Sequence, residues 1–516
     1  MRRMCDGGGM NLRDPRSCYR ALQSRDQRFD GRLFVGVLST GIYCRPICPA
    51  RTPRFENCRF FPSAPAAQDA GFRPCLRCRP ESAPELAGWR GTSGTVSRAL
   101  ALIADGALDD GVNGVESLGD RLGVGGRQLR RLFRQHLGAS PVAVAQTRRV
   151  LLAKQLIEET GMPLSDVALA AGFGSVRRFN ETLRHLFGRP PGALRAPHAD
   201  ESARARNAGI QPGTGVSLRV RYRPPYDWEA MLGHLAARLI EGVEEVEAGV
   251  YRRTVAIEGH CGTIAVAHDP LSKGLAVTVD FPHLRALPAI LNRVRRVFDL
   301  GADVQTIGAH LSLDPFMASL VSARPGLRAP GGWEPFELAV RAVLGQQVTV
   351  PAARRLGGEL VALCGEPVRL RQPDGGHLTH AFPTAARVAS ADLAQLRMPS
   401  TRRDTLRLLA EAVASEPCLF ERAATLDEAL ARLRRLRGIG EWTAQYIALR
   451  AFREPDAFPA GDSALRRGAM AETGVRPTAA RLTARAEVWR PWRAYAAQHL
   501  WACAADTRQL QERPRT

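Results

Sequence analysis

Lysine is nearly absent from this chain of 516 residues: of 72 Lys plus Arg, only Lys154 and Lys273 are lysines and seventy are arginines. A genome rich in Arg codons would account for that ratio. It would not account for the shortage of acid, 51 Asp plus Glu, which leaves a net charge of +21. Long apolar runs are also missing. None approaches the ~18–20 residues of a membrane span. The first residues, Met1 to Gly9, contain no apolar core of a secretory signal. A cytoplasmic chain is therefore expected. At 45% hydrophobic residues there is material for several cores, so wholesale disorder is excluded. The length suggests about three to five domains. The excess of positive charge points to nucleic acid as partner.

Eleven cysteines in such a chain do not make a disulfide framework. Seven are scattered, whereas Cys44 and Cys48 form one short hook and Cys75 and Cys78 another. Two hooks with a compact stretch between them suit a tetrahedral zinc ion held by four thiolates. On spacing alone this is a structural zinc module. The flanking runs Thr40–Pro46 and Gly71–Cys78 resemble the N-terminal domain of the Ada adaptive-response proteins. That resemblance implies that Cys44 both binds zinc and accepts a methyl group from a DNA methyl phosphotriester, with Cys48, Cys75 and Cys78 as ligands only. Zinc would keep the nucleophile deprotonated at neutral pH. Methylation would take the site from about −2 to about −1, and a unit charge ~10 Å from one phosphate is worth ~0.4 kcal/mol in water. Over several phosphates, binding would tighten about tenfold.

Residues 95–195 contain an internal repeat. Leu118–Val124 precedes Arg127–Arg134, and some fifty residues on Val167–Phe173 precedes Val176–Arg184. In the second segment of each copy, Leu129, Leu132, Phe133 and Leu137, and Val176, Phe179, Leu183 and Leu186, recur at helical spacing and should face a core. Arg127, Gln128, Arg130, Arg131, Arg177, Arg178 and Arg184 then point outward, as a major-groove recognition helix requires. The repeat resembles the AraC-type helix-turn-helix domain. Ala139–Gly161 and Arg189–Ala196 are read as connector and tail.

The polar, aperiodic stretch after His198 reads as a linker. Beyond it, strands are expected at Ser217–Tyr222, Val250–Glu258, Gly262–Ala267 and Leu275–Phe281, with helices at Trp228–Ile240 and Leu287–Asp299. From Trp333 the pattern becomes helical. Leu436–Arg450 places a Gly438-Ile439-Gly440 hairpin between two helices, so that free amides can hold a DNA phosphate. About twenty residues later comes Gly461-Asp462-Ser463. The pair resembles the helix-hairpin-helix glycosylases. Tyr222–Trp228, Ala342–Val348 and Trp489–Trp501 narrow the likeness to the AlkA-type DNA-3-methyladenine glycosylases. The resemblance implies a base pocket of Trp442, Tyr446 and Trp501, Gln347 in the gap left by the flipped base, and Asp462 as catalytic carboxylate. A cationic alkylated base is a good leaving group. The enzyme therefore needs to flip the nucleotide, hold the base on aromatic faces and stabilise the sugar cation. Trp442 stands where the lyase branch carries lysine, so monofunctional hydrolysis is expected. Cys503 stands alone, so no iron–sulfur cluster is expected. No cysteine precedes a histidine, which argues against the O6-alkylguanine acceptor domain of full-length Ada proteins.

The expected architecture is multidomain, mostly α with α+β. Residues 10–85 form an Ada-like zinc domain and 95–197 an AraC-type double helix-turn-helix, followed by a linker at 198–215. Residues 216–332 form an AlkA-type N-terminal α+β domain and 333–508 an all-α helix-hairpin-helix glycosylase domain. One zinc ion, double-stranded DNA at damaged and promoter sites, the transcription machinery and a monomeric, nucleoid-associated state complete the expectation. The competing reading is a damage-responsive regulator whose second half is a non-catalytic DNA clamp.

Overall fold

The computed structural model describes residues 14–26, 29–80, 94–109, 114–195, 215–368, 377–420 and 425–512. The chain divides into two compact units, residues 1–199 with 284–289, and residues 200–283 with 290–516. All but residue 215 of the expected linker lies outside the described residues.

In the first unit, Asp14 caps helix α1 (Pro15–Gln23) by accepting from the amides of Arg16 and Ser17. Strands β1 (Phe34–Val37), β2 (Ile42–Cys44), β3 (Cys58–Phe61) and β4 (Arg73–Pro74) form one sheet in the order β3-β1-β2-β4. The parallel pairing of β2 with β4 sets Tyr43 opposite Pro74. Cys44 ends β2 and Cys75 directly follows β4, so the sheet delivers the two cysteines side by side. Helix α2 (Ala64–Asp69) packs on this sheet over Phe34, Tyr43 and Phe72.

Helix α3 (Gly94–Ala104) precedes the repeat. Its first copy is α4 (Val115–Arg121) and α5 (Gly126–Leu137), and its second is α7 (Leu164–Ala170) and α8 (Val176–Phe187). Gly138 and Gly188 end α5 and α8 at φ of 70° and 67°, a left-handed stop that glycine adopts without a Cβ clash. The segment read as a connector is a 19-residue helix, α6 (Pro141–Glu159). It buries Val150, Ala153, Leu156 and Ile157 together with the polar Lys154 and Gln155, which is why apolar periodicity hides it. This helix also binds the zinc module. Leu151 joins the Phe34–Tyr43–Phe72 cluster. The end of α5 contributes as well, where Ser63 Oγ donates to the Leu137 carbonyl at 2.7 Å. Arg79, next to Cys78, pairs with Glu158 at 2.7 Å, and Glu158 holds the fully buried Lys154 at 3.0 Å.

The second unit opens with a five-stranded antiparallel sheet, β5 (Val216–Arg221), β6 (Glu244–Glu247), β7 (Val250–Ile257), β8 (His260–Asp269) and β9 (Gly274–Asp280), in the order β5-β9-β8-β7-β6. Four of these lie within three residues of expectation at each end, and β6 is additional. The helices are α9 (Trp228–Ala236), α10 (Leu287–Val297), α11 (Val304–Leu311), α12 (Pro315–Ala323), α13 (Pro335–Leu344), α14 (Val350–Cys364), α15 (Ala385–Ser390), α16 (Ser400–Ser415), α17 (Leu426–Arg434), α18 (Glu441–Arg450), α19 (Ser463–Thr473), α20 (Ala479–Arg485) and α21 (Arg493–Glu512). A two-stranded ribbon, β10 (Glu366–Pro367) with β11 (His380–Ala381), interrupts what was expected to be all-α.

A buried charge network locks the sheet to α13. Arg253 on β7 donates to Glu337 at 2.8 Å, and Arg341 bridges Glu337 at 2.7 Å to Glu244 on β6 at 2.6 Å. Arg253 also lies 4.6 Å from the ring centre of Trp333. Burial works to raise the Glu337 carboxyl, but Arg253 and Arg341 outweigh it and hold it at about 2. Because the folded value lies below the ordinary 4.5, the stabilisation is full above that pH and lost as pH falls towards 2. Glu337→Ala, which leaves two buried guanidinium groups uncompensated, is expected to cost about 3–5 kcal/mol in denaturant unfolding of the full chain. It should also flatten the acid limb of the stability curve.

Candidate functional site

The Sγ atoms of Cys44, Cys48, Cys75 and Cys78 all lie within 4.8 Å of one another. Tetrahedral zinc with ~2.3 Å bonds requires sulfurs just under 4 Å apart, so the cluster fits that ion. The four thiols also compete for protons. Their mutual hydrogen bonds push Cys44 up, with Cys48 its strongest partner, and Cys75 down, with Cys44 its strongest partner. A divalent cation relieves that competition. Cys48, Cys75 and Cys78 are buried and Cys44 is partly open. Backbone amides of Arg77 and Arg45 donate to the sulfurs of Cys75 and Cys78, at 3.4 and 3.3 Å. The chain thus carries one zinc site, in which Cys44 is the one ligand residue that is not fully buried.

Arg45, inside the first hook, is a cation that the sequence alone would leave free to meet DNA. Its side chain is buried, pairs with Asp30 through Nε at 2.6 Å, and donates to the Cys78 carbonyl at 3.0 Å. It ties the two hooks together and is not available to DNA. Arg51 and Arg77 are exposed.

On the recognition helices the core set is Leu129, Phe133, Leu137, Phe179, Leu183 and Phe187. Leu132 and Leu186 are half-buried. Val176, expected in the core, is exposed because it opens α8 just after the capping Ser175. Arg127, Gln128, Arg130, Arg131, Arg177, Arg178 and Arg184 are all exposed. Two of them already have acidic partners, Arg130 with Glu116 at 2.8 Å and Arg177 with Glu181 at 2.9 Å.

In the second unit, Gly438 has a φ of +90°, and a Cβ there would lie 1.8 Å from Thr405 Oγ1, so only glycine fits. Ile439 is buried and anchors the turn, while Gly440 is exposed and caps α18 with no side chain on its free amides. Gln347 is exposed and held at φ +56°. That left-handed conformation in a non-glycine residue costs about 1–3 kcal/mol. Its neighbour Gln346, which sequence reasoning passed over, bolts the loop to the hairpin. Its Nε2 donates to the Gly438 carbonyl and to Thr443 Oγ1, both at 3.0 Å.

A cleft of about 770 Å³ lies beside the hairpin, lined by Gln347, Trp442, Tyr446, Arg450, Asp462, Gln498 and Trp501 among others. Trp442 and Tyr446 stack at 5.5 Å, and Trp501 meets Tyr446 edge-on at 6.4 Å. Asp462 is the cap of α19: its Oδ1 accepts from the Leu465 amide at 2.9 Å. The same Oδ1 accepts from Trp501 Nε1 at 2.9 Å, and Oδ2 accepts from Trp442 Nε1 at 3.0 Å. A carboxylate has about four acceptor sites. Three are filled, and one, on Oδ2, is open. Behind the rings, the buried Arg450 guanidinium sits 5.0 Å from Trp501 and 5.8 Å from Tyr446. Burial lowers it to about 10, so it stays cationic at neutral pH.

Three family descriptions match the chain: the metal binding domain of Ada at residues 17–81, a helix-turn-helix domain at 118–197, and the AlkA N-terminal domain at 217–334. The chain is 44% identical over 486 residues to the "Probable bifunctional transcriptional activator/DNA repair enzyme AlkA" of Mycobacterium tuberculosis (strain CDC 1551 / Oshkosh), covering 94% of this chain and 95% of that one. It is 34% identical to DNA-3-methyladenine glycosylase 2 of Escherichia coli (strain K12), over 55% of this chain and 95% of that one. It is 32% identical to the bifunctional transcriptional activator/DNA repair enzyme Ada of the same strain, over 32% of this chain and 46% of that one.

Metal analysis of the purified full chain should find one equivalent of zinc, and Co2+ exchange should produce the intense thiolate charge-transfer absorption of a four-sulfur site. Cys75→Ser should lower metal retention more than tenfold. A variant that keeps its zinc through chelation would show that these sulfurs do not form the site.

Proposed function

The chain belongs to the family of bifunctional transcriptional activator/DNA repair enzymes of the AlkA type, and on that footing we propose that it both senses and removes alkylation damage in double-stranded DNA. In its first unit Cys44 takes a methyl group from a DNA methyl phosphotriester. The sulfur lone pair forms an S–C bond to the methyl carbon, the C–O bond breaks, and its electron pair stays on the phosphate oxygen. Bound zinc supplies the deprotonated thiolate. The product is a thioether, a poor leaving group, so the transfer happens once per chain. Loss of one negative charge then favours DNA binding by the exposed arginines of α5 and α8, and the transcription machinery responds.

In the second unit the glycosidic bond of an alkylated base such as 3-methyladenine is hydrolysed without a lyase step. The observation that carries this half is the convergence of two indole N–H groups and a helix amide on the Asp462 carboxylate inside an aromatic cleft. A non-catalytic clamp has no use for that arrangement. Trp442 and Trp501 hold the carboxylate still, its open Oδ2 site faces the sugar, and negative charge there stabilises the sugar as positive charge develops. Gly438 and Gly440 present the hairpin amides to a phosphate, and Gln347 fills the space vacated by the flipped nucleotide. The working unit is a monomer in the cytoplasm, associated with the nucleoid.

Asp462→Asn is expected to lower release of 3-methyladenine from methylated DNA at least a hundredfold while sparing damage-dependent transcription. Full excision by that variant would overturn the assignment. Cys44→Ser should lose methyl transfer, and mass spectrometry of the wild-type chain should find the methyl on Cys44. A label on Cys48, Cys75 or Cys78 would show the acceptor to be misplaced.

A further inference from the structure

The floor of the aromatic cleft carries a polar group with no role in the chemistry above. Trp442, Tyr446 and Arg450 follow one another at four-residue steps on α18, so Arg450 lies about 12 Å along the helix from Trp442. On α21, Gln498 is one turn from Trp501. Both tryptophans bond Asp462 at one end of the cleft. Behind the Tyr446 and Trp501 rings, Arg450 Nη2 donates to Gln498 Oε1 at 2.9 Å, while Nη1 donates to the Pro330 carbonyl at 2.8 Å. With Asp462 facing the sugar, as proposed above, the Arg450–Gln498 pair is the polar group we assign to the far edge of a base.

A guanidinium has donors only, so Arg450 admits one orientation of the Gln498 amide: oxygen towards the arginine, nitrogen away. Gln498 is 8% exposed and lines the cleft. Among the described residues its Nε2 has no hydrogen-bond partner, yet it is not among the fully sealed unpartnered atoms. The cleft thus offers one fixed N–H donor at its floor.

We propose that Gln498, oriented by Arg450, is a specificity-determining residue that reads the far edge of the flipped base and favours a carbonyl oxygen there over an amino group. This rests on the reading of the cleft as the base pocket. An alkylated guanine presents O6, an acceptor, whereas an alkylated adenine presents N6–H2, a donor. Against Gln498 Nε2 the first gains a hydrogen bond, and the second sets donor against donor.

The test uses the full-length chain on methylated duplex DNA containing 7-methylguanine and 3-methyladenine, with released bases separated by chromatography. Gln498→Leu is expected to lower the ratio of released 7-methylguanine to 3-methyladenine about fivefold, with 3-methyladenine release retained. Gln498→Glu keeps an acceptor for Arg450 but removes the donor. Since both target bases are cationic, its new charge cancels in the ratio, which should fall at least as far, because the carboxylate accepts from N6–H2 and sets acceptor against O6. Thermal unfolding like that of the wild type confirms intact packing. An unchanged ratio in the two variants, or a proportional loss of both bases, overturns the proposal. Failure of the wild-type chain to release either base removes the base-pocket reading itself, and this inference with it.

Discussion

A guanidinium removed from water needs carbonyl, carboxylate or ring partners for its charge, and this constraint shapes both units even where one N–H, the Nε of Arg328 or Arg450, goes unpaired. Arg45 joins the two cysteine hooks, Arg253 locks the sheet to α13, and Arg450 stands behind the aromatic cleft. Arg328 is buried too, with its Nη1 on the carbonyls of Asp299 and Ala302 and its guanidinium 4.7 Å from the ring of Tyr226. Planar, multiply donating and always charged, arginine can tie several carbonyls or carboxylates at once where lysine offers a single point. The near-absence of lysine is therefore reflected in how the cores are built. Part of the positive charge that suggests a nucleic-acid partner is spent inside the protein.

The two groups proposed to react are set up by opposite means. Cys44 is the one member of its set that is not fully buried, and backbone amides are directed at the sulfurs of Cys75 and Cys78. Asp462 is surrounded: three donors fill three of its four acceptor sites and leave one direction open. In each case neighbouring groups distinguish one atom among chemically similar ones.

Much of this was legible in the sequence where chemistry depends on short spacing. The cysteine hooks, the Gly438–Gly440 hairpin and Asp462 ahead of a helix are local patterns, and the geometry brings their members together as expected. What was hidden depends on distant partners. Arg45 reads as an exposed cation until Asp30 is found beside it. Helix α6 reads as a connector because its buried face includes Lys154 and Gln155, whose acidic partners Glu158 and Glu159 could not be recognised as such. Val176 has the right spacing for the core but lies at a helix start, where spacing does not determine burial. Gln346 and Gln347 are identical letters, and only the backbone shows that one secures the loop and the other projects from it.

The pinned loop bears on the search for damage under the reading proposed above. Left-handed strain at Gln347 is incurred once, when the chain folds, and the Gln346 bonds keep it from relaxing. If Gln347 fills the gap left by a flipped nucleotide, such a loop would be a stiff probe. At a sound base pair the duplex would have to do the yielding, and where stacking is weaker the same push would meet less resistance. Discrimination would then begin as a mechanical comparison, made before any base has entered the cleft.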